Sequence, residues 1–209
     1  MYVPKAFEEA DENKLISFIQ ENPFGILASA SDVFPEASHL VFHPEKNESG
    51  KLFLFGHFAR PNEHWKKIGG PVLVVFSGAH CYISPTWTGE PNSVPTWNYA
   101  AVHASGNLSF LDDVQSMERI SQLVASYETE PSPDWKLDFE NSYFKNTIKG
   151  LVAFQIEVTR LEGKFKLSQN KSVELQSRVA SKLEELSDDN SKTIAKWMRE
   201  NLSRKNGAM

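Results

Sequence analysis

Turns, rather than crossover helices, separate the strand candidates in the first half of the chain. Phe24–Ala30 and Glu36–His43 are rich in strand-forming residues, and the five residues between them have hairpin-turn composition. A second turn over 44–50 leads into the apolar run Lys51–His57. A doubly wound parallel sheet would need a crossover helix after nearly every strand. The pattern therefore predicts a mainly β protein whose antiparallel sheet curls into a small barrel.

The remaining chain adds strands and helices to this barrel. Val72–Phe76, Trp97–Leu111 and Gly150–Leu161 are further strand candidates, which gives about six in total. Short helices are predicted from Asp11 and from Pro61, a longer one begins at the capping-box residue Asp112, and Pro131-Ser132-Pro133 marks a loop. Two amphipathic helices close the chain. We therefore divide it into a barrel domain, 1–170, and a helical appendage, 171–209.

Aromatic residues are concentrated in His80–Trp87 and Val94–His103. Two tryptophans, two tyrosines and two histidines alternate there with small hydroxyl residues, beside prolines that stiffen the backbone. Flat apolar faces next to hydrogen-bond donors suit a planar polar ligand, such as a flavin or a nucleobase. The alternative interpretation is an aromatic-rich pair of core strands.

A second candidate site lies between Gly56 and Lys66. Its cationic and polar side chains flank a predicted strand-to-helix transition, where free backbone N–H groups favour a phosphate or another anion. These side chains are His57, Arg60, Asn62 and Lys66. The alternative is a capped surface turn with solvated charges.

Several chemistries lack the residues they need. Cys81 is the only cysteine, which excludes an intrachain disulfide and a multi-cysteine zinc site and suits a reducing compartment. His80 points to the opposite strand face from Cys81, so a buried, inert thiol is expected. His39 and His43 would stand about 13 Å apart on a strand, too far to share a metal ion. The familiar phosphate-loop and dinucleotide fingerprints are absent.

Charge and hydropathy set further expectations. The net charge of −5 gives no overall attraction to nucleic-acid phosphates, and no stretch reads as a helix-turn-helix. The first residues lack the apolar region of a signal peptide, and no apolar run reaches membrane-spanning length. We expect a cytoplasmic protein without a membrane partner, and direct DNA binding is left open.

Several motifs, taken together, resemble the PaiB-type family of FMN-binding negative transcriptional regulators, which belong to the split-barrel flavoproteins. They occur in order from the first residue to about Asn170, and Val-Pro-Thr-Trp-Asn-Tyr together with Lys-Leu-Ser-Gln-Asn is specific. The chain departs from the family pattern before His80 and at Arg60-Pro61. The motifs are Met1–Pro4, Gly56–Ala59 with Asn62 and Trp65, Ala79–Pro85 with Trp87, Val94–Tyr99 with Val102-His103, and Lys166–Asn170.

The resemblance implies a six-stranded antiparallel split barrel, usually dimeric, with FMN in a groove at the subunit interface. It implies cofactor contacts in three groups and names no catalytic residue. The phosphate would lie near His57, Arg60, Asn62 and Lys66, and Trp65 and His103 are further expected cofactor contacts. The isoalloxazine would lie near Tyr82, Ser84, Trp87, Thr96, Trp97 and Asn98. Ser168, Gln169 and Asn170 would close over it.

Two functions follow as expectations. The first is a homodimeric FMN protein that represses transcription or senses redox state or a ligand. The alternative is a small FMN-dependent oxidoreductase of the flavin reductase or oxidase kind, although the fold alone is a weak argument for activity. Reduction of bound FMN by NADH or NADPH would favour the enzyme.

Overall fold

The structure is a computed structural model that describes residues 1–31, 33–128, 138 and 140–207. The chain divides into two compact units, described separately below. The terminal unit comprises Met1–Phe18, Ser77–Val102 and Glu162–Met209, and the central unit comprises Ile19–Phe76 and His103–Leu161. The boundary that the sequence suggested after residue 170 stays a prediction.

Eight strands and six α-helices make up the described chain, and two short 3-10 turns cover Lys5–Phe7 and Pro85–Trp87. The strands are β1 (Glu8–Glu9), β2 (Phe24–Ser29), β3 (Glu36–Val41), β4 (His43–Lys46), β5 (Leu52–Ala59), β6 (Val72–Ile83), β7 (Thr96–Phe110) and β8 (Leu151–Lys166). The helices are α1 (Glu12–Glu21), α2 (His64–Lys67), α3 (Asp113–Tyr127), α4 (Ser142–Ile148), α5 (Val173–Glu184) and α6 (Asp189–Gly207).

The strands form one sheet in the order β3-β2-β6-β7-β8-β5-β4, and β1 pairs with β8. Every pair with a defined register is antiparallel, which confirms the predicted mainly β, antiparallel class. The order stays open at β3 and β4 and does not close into a ring. These two end strands are consecutive in the chain and are separated by Phe42 alone.

Three sequence predictions about strands need correction. The predicted strand Glu36–His43 divides at Phe42, and residues 43–46 belong to β4, so the following turn is confined to 47–50. Asn47 stabilises that turn because its side chain accepts hydrogen bonds from the backbone N–H groups of Ser49 and Lys51. β6 runs seven residues past Phe76, and β8 runs five past Leu161.

The sequence predicted where helices begin better than it predicted how long they are. Asp112 and Gln115 form the predicted capping box of α3, and the side chain of Asp11 accepts from the N–H of Asn13. The helix expected from Pro61 is only the four-residue α2. Ser172 caps α5, since its side chain accepts from the backbone N–H of Leu175. The loop predicted at 131–133 lies outside the described residues.

Each unit has its own aromatic core. In the central unit the rings of Phe42, Phe76, Phe154 and Phe58 are linked at centroid distances of 5.0–6.1 Å. Gly106 of β7 is required there, since a Cβ atom would stand 2.1 Å from the carbonyl oxygen of Glu157.

In the terminal unit Phe18, Phe165 and Trp197 lie 5.3–6.3 Å apart. Most of the apolar stripes of α5 and α6 are buried there, as their spacing predicted, whereas Trp197 is half-buried and Leu186 is exposed. Among the described residues, no helix is long and apolar enough to cross a bilayer.

Candidate functional site

The exposed side of the terminal unit's sheet carries a group of rings. Strand alternation buries Cys81 and Asn98 and turns their neighbours to the other face. Trp97 is 53% exposed and Tyr82 is 45% exposed. The Trp97 centroid lies 6.1 Å from that of Tyr82 and 6.2 Å from that of His80. We call His80, Tyr82, Trp97 and Tyr99 the aromatic face.

Lys166, at the end of β8, joins the Lys-Leu-Ser-Gln-Asn motif to this face. Its ammonium donates hydrogen bonds to the hydroxyl of Thr96 and, over 2.5 Å, to the backbone carbonyl of Trp97. Burial, and then the positive charge of Lys164, lower the pKa of Lys166. Two motifs about seventy residues apart in sequence therefore meet in the fold.

Asn98 and Ser168 form a second link between the same motifs, on the buried side of the sheet. The Asn98 amide nitrogen lies 3.1 Å from Ser168 Oγ and 3.5 Å from the sulfur of Met198. Ser168 has a positive φ of 63°, a conformation that costs energy in a residue with a Cβ atom, and the amide holds it there. Because Asn98 is fully buried, it positions the segment rather than facing solvent.

The other residues of the late motif are largely committed to their own turn. Gln169 accepts from the N–H of Leu167 over 2.7 Å and donates to the carbonyl of Phe165. Asn170 is exposed. Of the three residues expected to close over a ligand, only Asn170 has an outward-facing side chain.

The loop after β6 is also tied down. Ser84 Oγ accepts from the N–H of Thr86 and caps the 3-10 turn that contains the half-buried Trp87. Arg178 of α5 donates to the carbonyl of Thr88 over 3.0 Å. These contacts fix the chain that leads into β7.

Gln176 of α5 was not singled out from the sequence. It is fully buried, and its amide nitrogen donates to the carbonyl of Lys171 over 2.7 Å. Its Oε1 has no partner among the described residues. The available signal was a polar residue next to Leu175 within the apolar stripe of α5.

In the central unit a buried histidine, also missed as a site residue, organises the Gly56–Lys66 segment. His64 is 3% exposed, and its ring nitrogens lie 2.9 Å from the hydroxyls of Ser29 and Ser38. Asn62 donates to Ser38 Oγ and accepts from the N–H of His64. Burial lowers the pKa of His64. This network uses the polar groups of Asn62 internally.

The predicted phosphate ligands of this segment also have protein partners. Arg60 donates to the carbonyls of Lys149 and Leu151, and the Trp65 indole N–H donates to the carbonyl of Arg60. Lys66 pairs with Glu63 at 3.1 Å. α2 has four residues, so it offers little helix dipole to an anion.

Two histidines of the predicted site remain in this unit. His57 is half-buried on β5, its Nδ1 has no partner among the described residues, and burial lowers its pKa. His103 is half-buried on β7, at the same strand parity as Trp97. The six predicted contacts His57, Arg60, Asn62, Trp65, Lys66 and His103 therefore belong to the central unit, and the other nine belong to the terminal unit.

Neither a metal nor a nucleophile-based site stands out. Within the described ranges, no group of three or more histidine, cysteine or acidic residues could hold a metal ion. Cys81 is buried, and burial raises the pKa of its thiol to about 11. A thiol with that pKa carries almost no thiolate near neutral pH.

The donors that remain accessible suit a planar, anionic heterocycle. Trp97 and Tyr82 offer ring surface, and Lys166 offers positive charge beside them. A family model described as "Putative FMN-binding domain" matches residues 1–160. The chain belongs to this family. The resemblance to PaiB-type FMN-binding proteins is thus confirmed.

A bacterial protein is similar to this chain over nearly its whole length. The protein named protease synthase and sporulation protein PAI 2, from Bacillus subtilis (strain 168), is 32% identical over 207 residues, which covers 98% of this chain and 99% of that protein. The family model ends at residue 160. The similarity to the Bacillus subtilis protein extends past that point and includes most of the remaining chain, where Lys166–Asn170 lies.

Solved structures support the fold. The flavocytochrome Anf3 from Azotobacter vinelandii has a TM-score of 0.60 at 11% identity, covering 78% of this chain and 72% of that chain. An FAD and heme binding protein from Mycobacterium smegmatis has a TM-score of 0.58 at 12% identity, covering 76% and 73%. At such identities the likeness concerns architecture alone, and it agrees with the split-barrel class.

Proposed function

We propose that this chain binds FMN, as a cytoplasmic homodimer with a regulatory or ligand-sensing role. The observation that carries the proposal is the junction of Lys166 with Thr96 and Trp97, which brings the two most specific family motifs to one exposed aromatic surface. Family membership supports FMN as the ligand. The name of the Bacillus subtilis relative, with its reference to protease synthesis and sporulation, supports a regulatory role.

The residues of the terminal unit that would hold the flavin have the required chemistry. An isoalloxazine needs a flat apolar surface, which Trp97 and Tyr82 provide, and donors for its carbonyl oxygens. Asn98 and Ser168 act as positioning residues from the buried side. Bound FMN would supply redox chemistry, while the protein supplies binding and orientation.

The sequence-based contacts in the central unit remain predictions. The internal partners of Arg60, Asn62 and Lys66 reduce their capacity for a phosphate, and His57 Nδ1 keeps an unused hydrogen-bonding position. Arg60→Gln and His57→Gln test the two cases separately. Weaker binding of FMN with unchanged binding of riboflavin would assign a residue to the phosphate.

The direct test is the visible absorption spectrum of the purified protein, before and after added FMN and dialysis. We expect flavin bands that are shifted from those of free FMN and that remain with the protein. Protein that is colourless and leaves the spectrum of added FMN unchanged would contradict the proposal. Size-exclusion chromatography with light scattering tests the dimer, and gel shifts at physiological salt test direct DNA binding.

The oxidoreductase alternative predicts a further property. If the protein is an enzyme, NADH or NADPH should reduce its bound FMN faster than free FMN under the same conditions. Retention of FMN without such acceleration would favour the regulatory or sensing role.

A further inference from the structure

A lysine of β8 is buried against aromatic rings without an acidic partner. Lys164 is 8% exposed, and its ammonium lies 5.3 Å from the ring centroids of both Tyr2 and Tyr99. No ion pair or hydrogen bond joins that ammonium to another described residue. Cation–π contacts offset part of the cost of burying a charge, but they do not neutralise it.

The carboxylates on the same face are already paired. Glu8 stands opposite Lys164 in the β1–β8 register, yet it forms its ion pair with Lys5 at 2.7 Å. Glu162, two residues before Lys164 on β8, accepts from the amino group of Met1 at 2.9 Å. The charge of Lys164 is therefore left without a carboxylate among the described residues.

Lys166 adds a second cation beside it. Residues two apart on a strand share a face and lie about 7 Å from each other. The contacts of Lys166 are to neutral oxygens, the hydroxyl of Thr96 and the carbonyl of Trp97. Two adjacent, partly desolvated ammonium groups repel each other, and the charge of Lys164 contributes to the lowered pKa of Lys166. A bound anion would relieve both the repulsion and the lost hydration.

We propose that Lys164 and Lys166 form a receptor for the phosphate or carboxylate of an aromatic ligand whose ring lies on the aromatic face. The Lys164 ammonium lies against the Tyr99 ring. Strand alternation places Trp97 on the face of Tyr99 and Lys166 on the face of Lys164, so the two cations lie on the side of the sheet that carries the ring surface. This placement differs from the phosphate site that the sequence suggested around Arg60.

Two sources could supply the anion. One is the phosphate of FMN, in which case the inference rests on the proposed function. The other is a separate aromatic acid that binds beside the flavin or in its absence. The chemistry is the same in both cases, and the experiment separates them.

The test compares charged and uncharged ligands of matched shape. FMN and riboflavin differ in the phosphate, and 4-nitrobenzoate and 4-nitrobenzamide differ in the carboxylate. Affinities are measured by flavin fluorescence and by saturable quenching of tryptophan fluorescence, for the wild type, Lys164→Met and Lys166→Met. Lys164→Arg retains the charge. Lys182→Met is the matched control, because Lys182 is an exposed lysine of α5 that pairs with Glu185.

If the anion is the cofactor's phosphate, each methionine variant should lose about tenfold in FMN affinity and keep its riboflavin affinity. If it is a separate acid, the variants should lose the preference for 4-nitrobenzoate over 4-nitrobenzamide and bind FMN normally. Lys164→Arg and Lys182→Met should resemble the wild type.

Unchanged FMN and nitrobenzoate affinities in both methionine variants would overturn the inference. So would an absence of any preference for the charged ligands in the wild type. The nitrobenzoate comparison does not require flavin, so a protein that binds no FMN but keeps this preference contradicts the proposed function alone. Circular dichroism and thermal unfolding identify a variant that fails to fold. If Lys164→Met does not fold, Lys166→Met, at a half-buried position, carries the comparison.

Discussion

The His64 network of the central unit and the aromatic face of the terminal unit use similar residues in opposite ways. His64, Asn62 and the serines around them donate and accept within the protein. On the aromatic face, Trp97 and Tyr82 are exposed, and Lys164 has no acidic partner among the described residues. A region whose polar groups are all used stabilises the fold, whereas a region with unused cations and rings can take a ligand.

The contrast also separates two motifs that the sequence treats alike. Gly56–Lys66 and His80–His103 both contain histidine and tryptophan, and both belong to the family pattern. Only hydrogen-bond partners distinguish them. Trp65 donates its indole N–H to the carbonyl of Arg60 and packs on Phe110 at 5.9 Å, whereas Trp97 presents its ring to solvent.

The largest expected effect is on stability, at His64. His64→Ala removes a buried ring and leaves the hydroxyls of Ser29 and Ser38 without their partner, which should lower the free energy of unfolding by about 3 kcal/mol. His80→Ala, on the exposed aromatic face, should change it by less than about 0.5 kcal/mol. Urea denaturation followed by circular dichroism measures both. Equal losses of unfolding free energy in the two variants would contradict the contrast between the buried His64 network and the exposed aromatic face.

Acid should destabilise the protein through the central unit. Burial lowers the pKa values of His57 and His64 below their ordinary value of 6.5. In the window just below pH 6.5 the unfolded chain binds more protons than the folded one, so the free energy of unfolding falls as the pH falls. Near His64, Glu36 opposes this shift and Lys67 reinforces it.

The measurement is urea denaturation between about pH 7.5 and about pH 5. His57→Gln and His64→Gln should each flatten the pH dependence, and His80→Gln should leave it as in the wild type. A wild-type stability that does not change across this range would contradict the lowered pKa values of His57 and His64.

A smaller effect should be seen at Cys81, on the buried side of the strand that carries His80 and Tyr82. With the pKa of its thiol raised to about 11, Cys81 should react with a disulfide reagent at mildly alkaline pH far more slowly than in the denatured chain. Stability should also decrease as the pH rises from the ordinary thiol value of 9.0 towards 11, because only the unfolded state ionises there. Rapid labelling of the folded protein would show that the two faces of β6 are assigned wrongly.

Local signals in the sequence predicted much of the fold. Alternation and turn composition gave the antiparallel class, and the capping box located the start of α3. They did not predict that β8 continues to Lys166, because this extension pairs with the two-residue β1, for which no local pattern exists. Pairing of such a short strand depends on tertiary contacts.

The candidate site was harder to predict, for a related reason. The motif order indicated that Thr96, Trp97 and Lys166 belong together, and they are in contact. The side chains of Asn98, Gln169 and Arg60 are instead engaged with the protein, and residue type alone cannot show this. Lys164 was not singled out, since its isolation from carboxylates depends on the partners that Glu8 and Glu162 find in the fold.

The central claim is that the exposed aromatic face, rather than the residues around His64, receives the flavin ring. The most direct measurement is an FMN fluorescence titration of Trp97→Ala beside its matched partner Trp65→Ala. We predict that Trp97→Ala weakens FMN binding about tenfold or more, since a stacked ring contributes on the order of 1–2 kcal/mol, and that Trp65→Ala binds as the wild type does. Wild-type affinity in Trp97→Ala, with a loss in Trp65→Ala, would contradict the claim.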